Sequence, residues 1–183
     1  GLKRTIVPGL AWQAATAPLG DNLRATVVPG RQAVSDTRGD LRFFRYDAEG
    51  RLVSGGALLV PINRTERMRA EVAGRLGAIF PQLDGVRVDF VWSGYLARTP
   101  DYTPRLHQLA EGVFTWIGCN GRGVALSVGI GRELAKAAAG ARADDLAWPL
   151  TPLKPIPLHG IVARVSRPAM LWLYRRRDAR EMA

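Results

Sequence analysis

Along the first third of the chain the apolar residues come in short runs. The stretches 6–16, 32–35, 41–46 and 52–59 read as strands, separated by turn signals at 18–21, Pro29-Gly30, Arg38-Gly39-Asp40 and 47–50. This pattern predicts an antiparallel meander. Within it, Phe43-Phe44-Arg45-Tyr46, Asp47-Ala48-Glu49-Gly50 and Arg51-Leu52-Val53 read as a hairpin in which Gly50 supplies a left-handed turn conformation.

The spacing then changes. Asn63 can cap a helix, with Glu66 reaching back to it, and Met68, Val72, Leu76 and Ile79 recur at helical intervals before Pro81. Positions 86, 88, 90 and 92 alternate as in a half-buried strand, expected to be central in its sheet. Val113-Phe114-Thr115-Trp116-Ile117 is a second buried strand, which runs into Gly118-Cys119-Asn120-Gly121-Arg122-Gly123 and then into helical composition over 124–139. Pro149, Pro152, Pro155 and Pro157 predict an extended arm, followed by a short amphipathic helix that ends in Arg175-Arg176-Arg177. His107 and His159 fall in loop-like sequence without metal-ligand spacing, and read as surface or hydrogen-bonding histidines. No internal repeat is present.

Composition narrows the class. The 183 residues, 47% hydrophobic and 23% charged, suffice for one sizeable core. The single Cys119 excludes an intramolecular disulfide framework or a cysteine zinc site, and favours a reducing, cytoplasmic setting. The apolar runs stay far below the ~20 residues that span a bilayer. The chain starts at Gly1 and leads directly into strand-like sequence, which predicts that the true N-terminus lies upstream.

The net charge of +10 would ordinarily suggest an anionic partner. However, residues 151–183 hold seven basic side chains against two acidic ones, so half of the excess sits in the tail. There is no lysine stripe with interleaved aromatics, and nucleic acid is not an expected partner. Met170-Leu171-Trp172-Leu173-Tyr174 ahead of three arginines has the composition of a membrane-surface segment, but packing onto protein is expected instead. A non-catalytic module that uses this basic tail to meet an acidic partner is the alternative to the enzyme reading below.

The glycine loop is the main candidate for chemistry. Between a buried strand and a helix N-terminus, backbone N–H groups without intrahelical partners face outward, and the helix dipole adds partial positive charge. Gly118, Gly121 and Gly123 would let backbone approach a ligand, with Gly121 and Gly123 expected to hold positive φ or a close contact, and Arg122 would add a full charge. On glycine pattern alone, a tight strand-to-helix connection explains the loop equally well. It matches neither the Walker pattern nor the G-x-G-x-x-G fingerprint. Cys119 lacks a resolving partner and reads as a small packing residue.

Four stretches resemble the second half of the D-amino-acid-oxidase-like flavoenzyme superfamily, which includes glycine oxidase, sarcosine oxidase and gamma-glutamylputrescine oxidoreductase. They are Ile6-Val7-Pro8 with Gln13-Ala14-Ala15-Thr16-Ala17-Pro18-Leu19; Ser35-Asp36-Thr37-Arg38 through Gly50-Arg51-Leu52-Val53-Ser54-Gly55-Gly56; Trp92-Ser93-Gly94 with Asp101 and Pro104; and Gly118 through Val124 with Gly131 and Leu134-Ala135. The proline-rich arm and the arginine-rich end resemble the gamma-glutamylputrescine oxidoreductase group in particular.

The resemblance implies an α+β fold: a mixed, largely antiparallel substrate-domain sheet with a flanking helix, plus a C-terminal strand and helix of the FAD domain. It divides the chain into a substrate-binding sheet at 1–112, the FAD-domain strand, loop and helix at 113–140, and the arm and basic tail at 141–183. It also implies FAD as cofactor, with Gly118, Cys119, Asn120, Gly121, Arg122, Gly123, Val124, Trp92 and Gly94 beside the flavin. Phe43 and Arg98 would lie on the substrate side, whereas the residues alone read both Phe43 and Phe44 as core. The chemistry implied is hydride transfer from an amine or amino acid to the flavin, with no protein acid or base demanded.

Two departures from the family matter. The βαβ unit with G-x-G-x-x-G that grips the ADP half of FAD is absent from these residues, so the chain alone is expected to lose FAD, to be inactive, and to self-associate through an apolar surface around 124–139 that would meet the missing N-terminal half. In addition, Leu96 stands where glycine oxidase carries its carboxylate-binding arginine, which favours an amine without an α-carboxylate.

Overall fold

The computed structural model of the chain describes residues 1–39, 41–56 and 64–181. The Asn63 cap, the turn residue Asp40 and the end of the 52–59 run lie outside the described residues. The chain divides into two compact units, one of residues 1–9 and 95–166, the other of 10–94 and 167–183. Each unit is discontinuous in sequence, and the pair crosses the segments 1–112, 113–140 and 141–183.

The larger sheet has the order β2-β3-β4-β1-β5, from β1 (Val7–Pro18), β2 (Val34–Ser35), β3 (Phe43–Tyr46), β4 (Arg51–Gly56) and β5 (Val88–Arg98). The expected hairpin is present: β3 and β4 pair antiparallel with Tyr46 opposite Leu52. Gly50 makes the turn at φ 76°, while Asp47 Oδ1 accepts the Arg51 N–H at 2.8 Å. A short helix α1 (Asp21–Arg24) follows β1. Helix α2 (Arg64–Ile79) buries Met68, Val72 and Leu76 in a cluster with Trp12, Ala14, Phe44 and Leu52. Each fully buried aliphatic side chain of that stripe contributes ~1.5–3 kcal/mol. Phe44 also meets Phe80 edge-on, with centroids 5.2 Å apart, as expected of a core residue.

The strand at 86–92 differs from expectation. β5 is an edge of the five-stranded sheet rather than a central strand, and Phe90 and Trp92 are 53% and 45% exposed. Alternation reports a strand with two unlike faces, which edge and central strands share, so the pattern alone does not separate them.

In the other unit, β6 (Arg105–Ala110) and β7 (Val113–Ile117) form a two-stranded ladder closed by Gly112 at φ 68°. β7 leads into α3 (Gly123–Ala138). The proline-rich arm is tied down: the Thr151 N–H donates to the Leu106 carbonyl at 2.8 Å, and the Ile156 N–H to that of Arg4 at 2.8 Å.

His107 corrects the loop-like reading. It lies within β6, is 1% exposed, and its Nδ1 is 2.6 Å from the Thr151 carbonyl oxygen. Arg-Leu-His-Gln carries no clean alternation, so the local pattern does not mark a strand there. His159 opens α4 (His159–Glu181), with Nε2 2.9 Å from the Ile6 carbonyl oxygen. α4 has 23 residues and contains Pro168, so it is not the short helix expected. A proline removes one backbone donor and normally marks a boundary, yet here the helix runs on through it.

Candidate functional site

The loop between β7 and α3 is built from conformations that few residue types adopt. Gly118, Asn120 and Gly121 have left-handed φ values of 79°, 49° and 84°. At Gly118 a Cβ would also stand 2.7 Å from Thr99 Cγ2, so glycine is required there by both backbone and space. At Gly121 a Cβ would meet nothing within 4 Å, and only the φ demands glycine. Gly123 departs from expectation: it is the first residue of α3, is not among the positive-φ glycines, and its Cβ would meet Cys119 Cβ at an acceptable 3.4 Å.

Asn120 clips this turn to the segment before β6. Its Oδ1 accepts the Thr99 N–H at 3.0 Å, its Nδ2 donates to the Gly118 carbonyl at 2.7 Å, and its own N–H donates to the Ala97 carbonyl at 3.1 Å. Asparagine suits the position because it tolerates left-handed backbone and its amide both donates and accepts. The Cys119 thiol points at the Ala97 carbonyl, 3.7 Å away, consistent with a packing role. The Arg122 guanidinium donates to the Tyr102 carbonyl at 3.2 Å. Thr99, 2% exposed, donates through Oγ1 to the Thr103 carbonyl at 2.9 Å and completes the support. Thr99 and Tyr102 were not singled out from sequence; their only signal is the turn composition of Thr99-Pro100-Asp101.

This clip delivers a helix N-terminus. Arg122 is the N-cap and no side-chain hydrogen bond caps the helix; the Leu126 N–H is the one that bonds back to the Arg122 carbonyl, at 3.0 Å. The preceding amides of Gly123, Val124 and Ala125 have no intrahelical acceptor. No acidic residue occupies the first turn, so the positive end of the dipole is not neutralised locally. Val124 and Val128 are 92% and 73% exposed, giving this end of α3 a bare apolar flank. Amide donors and an exposed guanidinium at a helix N-terminus can receive an anion or an electron-rich oxygen.

Arg98 belongs to the same unit as this loop. It is 8% exposed, with its guanidinium carbon 5.7 Å from the Tyr102 ring centroid. Leu96 packs over Gly9, where a Cβ would stand 2.8 Å from Leu96 Cδ1. Trp92, Gly94 and Phe43 belong to the other unit. There, Phe43 is half-buried, opposite Gly55, which in turn faces Gln13 on β1. A Cβ at Gly55 would collide with the Phe43 ring at 2.7 Å, so this glycine makes room for the aromatic side chain. Among the described residues, no group of three or more His, Cys, Asp or Glu side chains is placed to hold a metal ion, and no helix is long and apolar enough to cross a membrane.

Comparison with known proteins bears on this arrangement. The chain is 29% identical over 140 residues to a probable oxidoreductase, OrdL, of Haemophilus influenzae, covering 76% of this chain and 32% of that protein. It is 28% identical over 121 residues to gamma-glutamylputrescine oxidoreductase of Escherichia coli, covering 66% of this chain and 28% of that one. It therefore spans about a third of the length of the curated relatives it matches. The crystal structure of L-proline dehydrogenase from P. horikoshii superposes with a TM-score of 0.60 at 22% identity, over 79% of this chain and 38% of that one, a likeness of fold. Residues 1–137, including the whole clipped loop and nearly all of α3, match the model of the FAD-dependent oxidoreductase family DAO, and the chain is a member of that family.

Proposed function

We propose that this chain is the substrate-side and flavin-ring-side portion of a longer FAD-dependent enzyme that oxidises the C–N bond of an amine or amino acid. The observation that carries the reading is the uncapped N-terminus of α3, held in place by the Asn120 clip and flanked by exposed Val124 and Val128.

The residues present fit the ring end of FAD. Open space at Gly121, amides at 123–125 and the nearby Arg122 suit the oxygen-bearing edge of a flavin. They do not supply the glycine-rich βαβ grip for its ADP half, so the chain alone is expected to lose FAD and be inactive. FAD held there would supply the hydride acceptor for the substrate carbon next to nitrogen.

The protein's own task is placement and electrostatics. The α3 amides and Arg122 would orient the ring edge and favour negative charge there. Leu96 cannot pair with a carboxylate. Arg98 stacks near Tyr102, so a substrate carboxylate would have to reach a largely buried guanidinium. An amine substrate is favoured, in keeping with the name of the gamma-glutamylputrescine enzyme.

The test is anaerobic reduction of the longer protein, purified with FAD, by a panel of amines and amino acids. Loss of the yellow absorbance with an amine, and not with its α-carboxylated analogue, is the expected result. No bleaching by any C–N substrate would remove the proposal. The rival module that uses the basic tail predicts instead a flavin-free protein whose partner binding weakens steeply with salt.

A further inference from the structure

A cavity of about 320 Å³ lies within the unit formed by 1–9 and 95–166. Its walls are Thr5, the ladder residues Arg105, His107 and Ile117, and the proline-rich arm over 154–157, with no residue of the 118–124 loop among them. We propose that this cavity binds a small organic acid bearing a neutral hydroxyl, the hydroxyl donating to His107 Nε2 and the carboxylate meeting Lys154. The proposal is independent of the flavin reading.

The argument begins with one unmet acceptor. Nδ1 of the buried His107 lies 2.6 Å from the Thr151 carbonyl oxygen. A carbonyl can only accept, so Nδ1 carries the hydrogen and Nε2 of the neutral ring is left as a lone-pair acceptor. Nε2 is itself buried and has no hydrogen-bond partner. Buried polar atoms are nearly always satisfied, so an orphaned acceptor on a cavity wall marks where a donor belongs. Thr151 is not part of that wall, which leaves the Nε2 side of the ring to face the cavity.

Charge selects the rest of the ligand. Arg105 is already engaged by Asp101, whose Oδ2 lies 2.6 Å from its guanidinium. Lys154 is exposed, and among the described residues no ion pair or hydrogen bond engages its ammonium. No acidic side chain lines the cavity, so one positive charge remains to be balanced. A carboxylate balances it, whereas a protonated amine would be repelled by Lys154 and Arg105. The donor to Nε2 is therefore neutral, and a hydroxyl is the most compact such group.

The walls are also held in position. The Thr151 N–H and Oγ1 both donate to the Leu106 carbonyl, at 2.8 and 3.1 Å, and the Ile156 N–H donates to the Arg4 carbonyl at 2.8 Å. The arm is thereby pinned on either side of Lys154, and its prolines fix the backbone further. Ile117, Ile156 and the prolines supply an apolar lining for the body of the ligand. The volume lies at the lower end for small-molecule sites, which suits an acid with a single ring.

The experiment is a titration of the full chain with para-hydroxyphenylacetate, followed by NMR through the imidazole nitrogens of His107. Saturable, one-site movement of the Nε2 signal is expected, with Nδ1 nearly still. Phenylacetate, which lacks the hydroxyl, and para-cresol, which lacks the carboxylate, should each bind at least tenfold more weakly. Lys154→Gln should weaken para-hydroxyphenylacetate at least tenfold and leave para-cresol unchanged. Arg142→Gln, at an exposed arginine of the same unit, should alter neither affinity.

His107→Asn keeps a donor for Thr151 and removes the second ring nitrogen, so it should bind the hydroxylated acid no better than phenylacetate. Should that variant fail to fold, the three ligands on the unaltered chain and on Lys154→Gln still decide. Equal affinity for para-hydroxyphenylacetate and phenylacetate, an affinity indifferent to Lys154→Gln, or unsaturable shifts that leave Nε2 unmoved would overturn the site.

Discussion

Asn120 Oδ1 accepts the Thr99 backbone N–H at 3.0 Å, across 21 positions of sequence, while the same side chain's Nδ2 holds the Gly118 carbonyl. One amide thus ties the strand-to-helix turn to the segment preceding β6. Truncating it leaves a largely buried Thr99 amide unsatisfied, a loss of about 1–3 kcal/mol. Asn120→Ala should therefore lower stability by that amount in urea unfolding. Asn120→Gly loses the same bonds but relieves the left-handed backbone, and should be milder by about 0.5–1 kcal/mol. Equal loss in the two variants would show that the φ of 49° costs nothing.

The three loop glycines make a graded series. Gly118→Ala meets Thr99 Cγ2 at 2.7 Å and also strains a φ of 79°; Gly121→Ala strains a φ of 84° in open space; Gly123→Ala does neither and starts a helix. Losses of about 2–4, about 1 and close to 0 kcal/mol are expected in that order. Thermal unfolding of the three variants checks the ranking, and a Gly123→Ala variant as damaged as Gly118→Ala would contradict the assigned backbone.

Acid should loosen the junction between α3 and the segment after it. The Glu133 carboxyl is held below the ordinary glutamate range, first by the hydrogen bond from Lys136 at 2.8 Å and then by the Ala147 N–H at 2.7 Å. Since the folded value lies below the unfolded one, the unfolded chain binds the proton first as pH falls. The stabilisation is complete above the ordinary glutamate range and disappears as pH drops through the lowered folded value. Glu133→Gln should flatten this part of the stability curve between neutral and acid pH. An unchanged slope would show that Glu133 titrates alike in the folded and unfolded chain.

Local signals were the legible ones. The 43–53 hairpin needed only Asp47 and Gly50 at their offsets, α2 only the spacing of Met68, Val72 and Leu76, and the 118–138 turn and helix only an apolar run followed by glycines, although β7 is not the buried strand expected: of its residues only Ile117 is buried, because it pairs in a two-stranded ladder. Properties set by distant partners were not legible. β5 lies at an edge because of where β1 pairs, which alternation at 86–92 does not encode. His107 is buried because Thr151, 44 residues on, supplies a carbonyl. α4 continues past Pro168 although local propensity opposes it. Gly121 and Gly123 look alike in sequence, yet only Gly121 needs a left-handed φ, because α3 begins between them.

That distinction sharpens the test of the flavin assignment in the longer protein. Gly121→Val is ambiguous, since it strains a φ of 84° whether or not a ring lies nearby. Gly123→Val carries no such strain, and its Cβ makes an ordinary approach of 3.4 Å to Cys119 within the chain. A bulky side chain there blocks a ligand more than it disturbs the fold. Gly123→Val should therefore lower FAD occupancy and the rate of reduction by substrate by a larger factor than Gly30→Val, whose added Cβ meets the flexible Gln32 side chain in the other unit. Arg122→Ala should leave stability nearly unchanged, because the residue is exposed and its guanidinium makes one bond to a backbone carbonyl. It should nevertheless lower the flavin midpoint potential, because a nearby positive charge favours the electron-rich ring. Redox titration of the wild type, Gly123→Val and Arg122→Ala settles the matter: full occupancy and an unchanged potential in both variants would leave the loop as a strand-to-helix connection and nothing more.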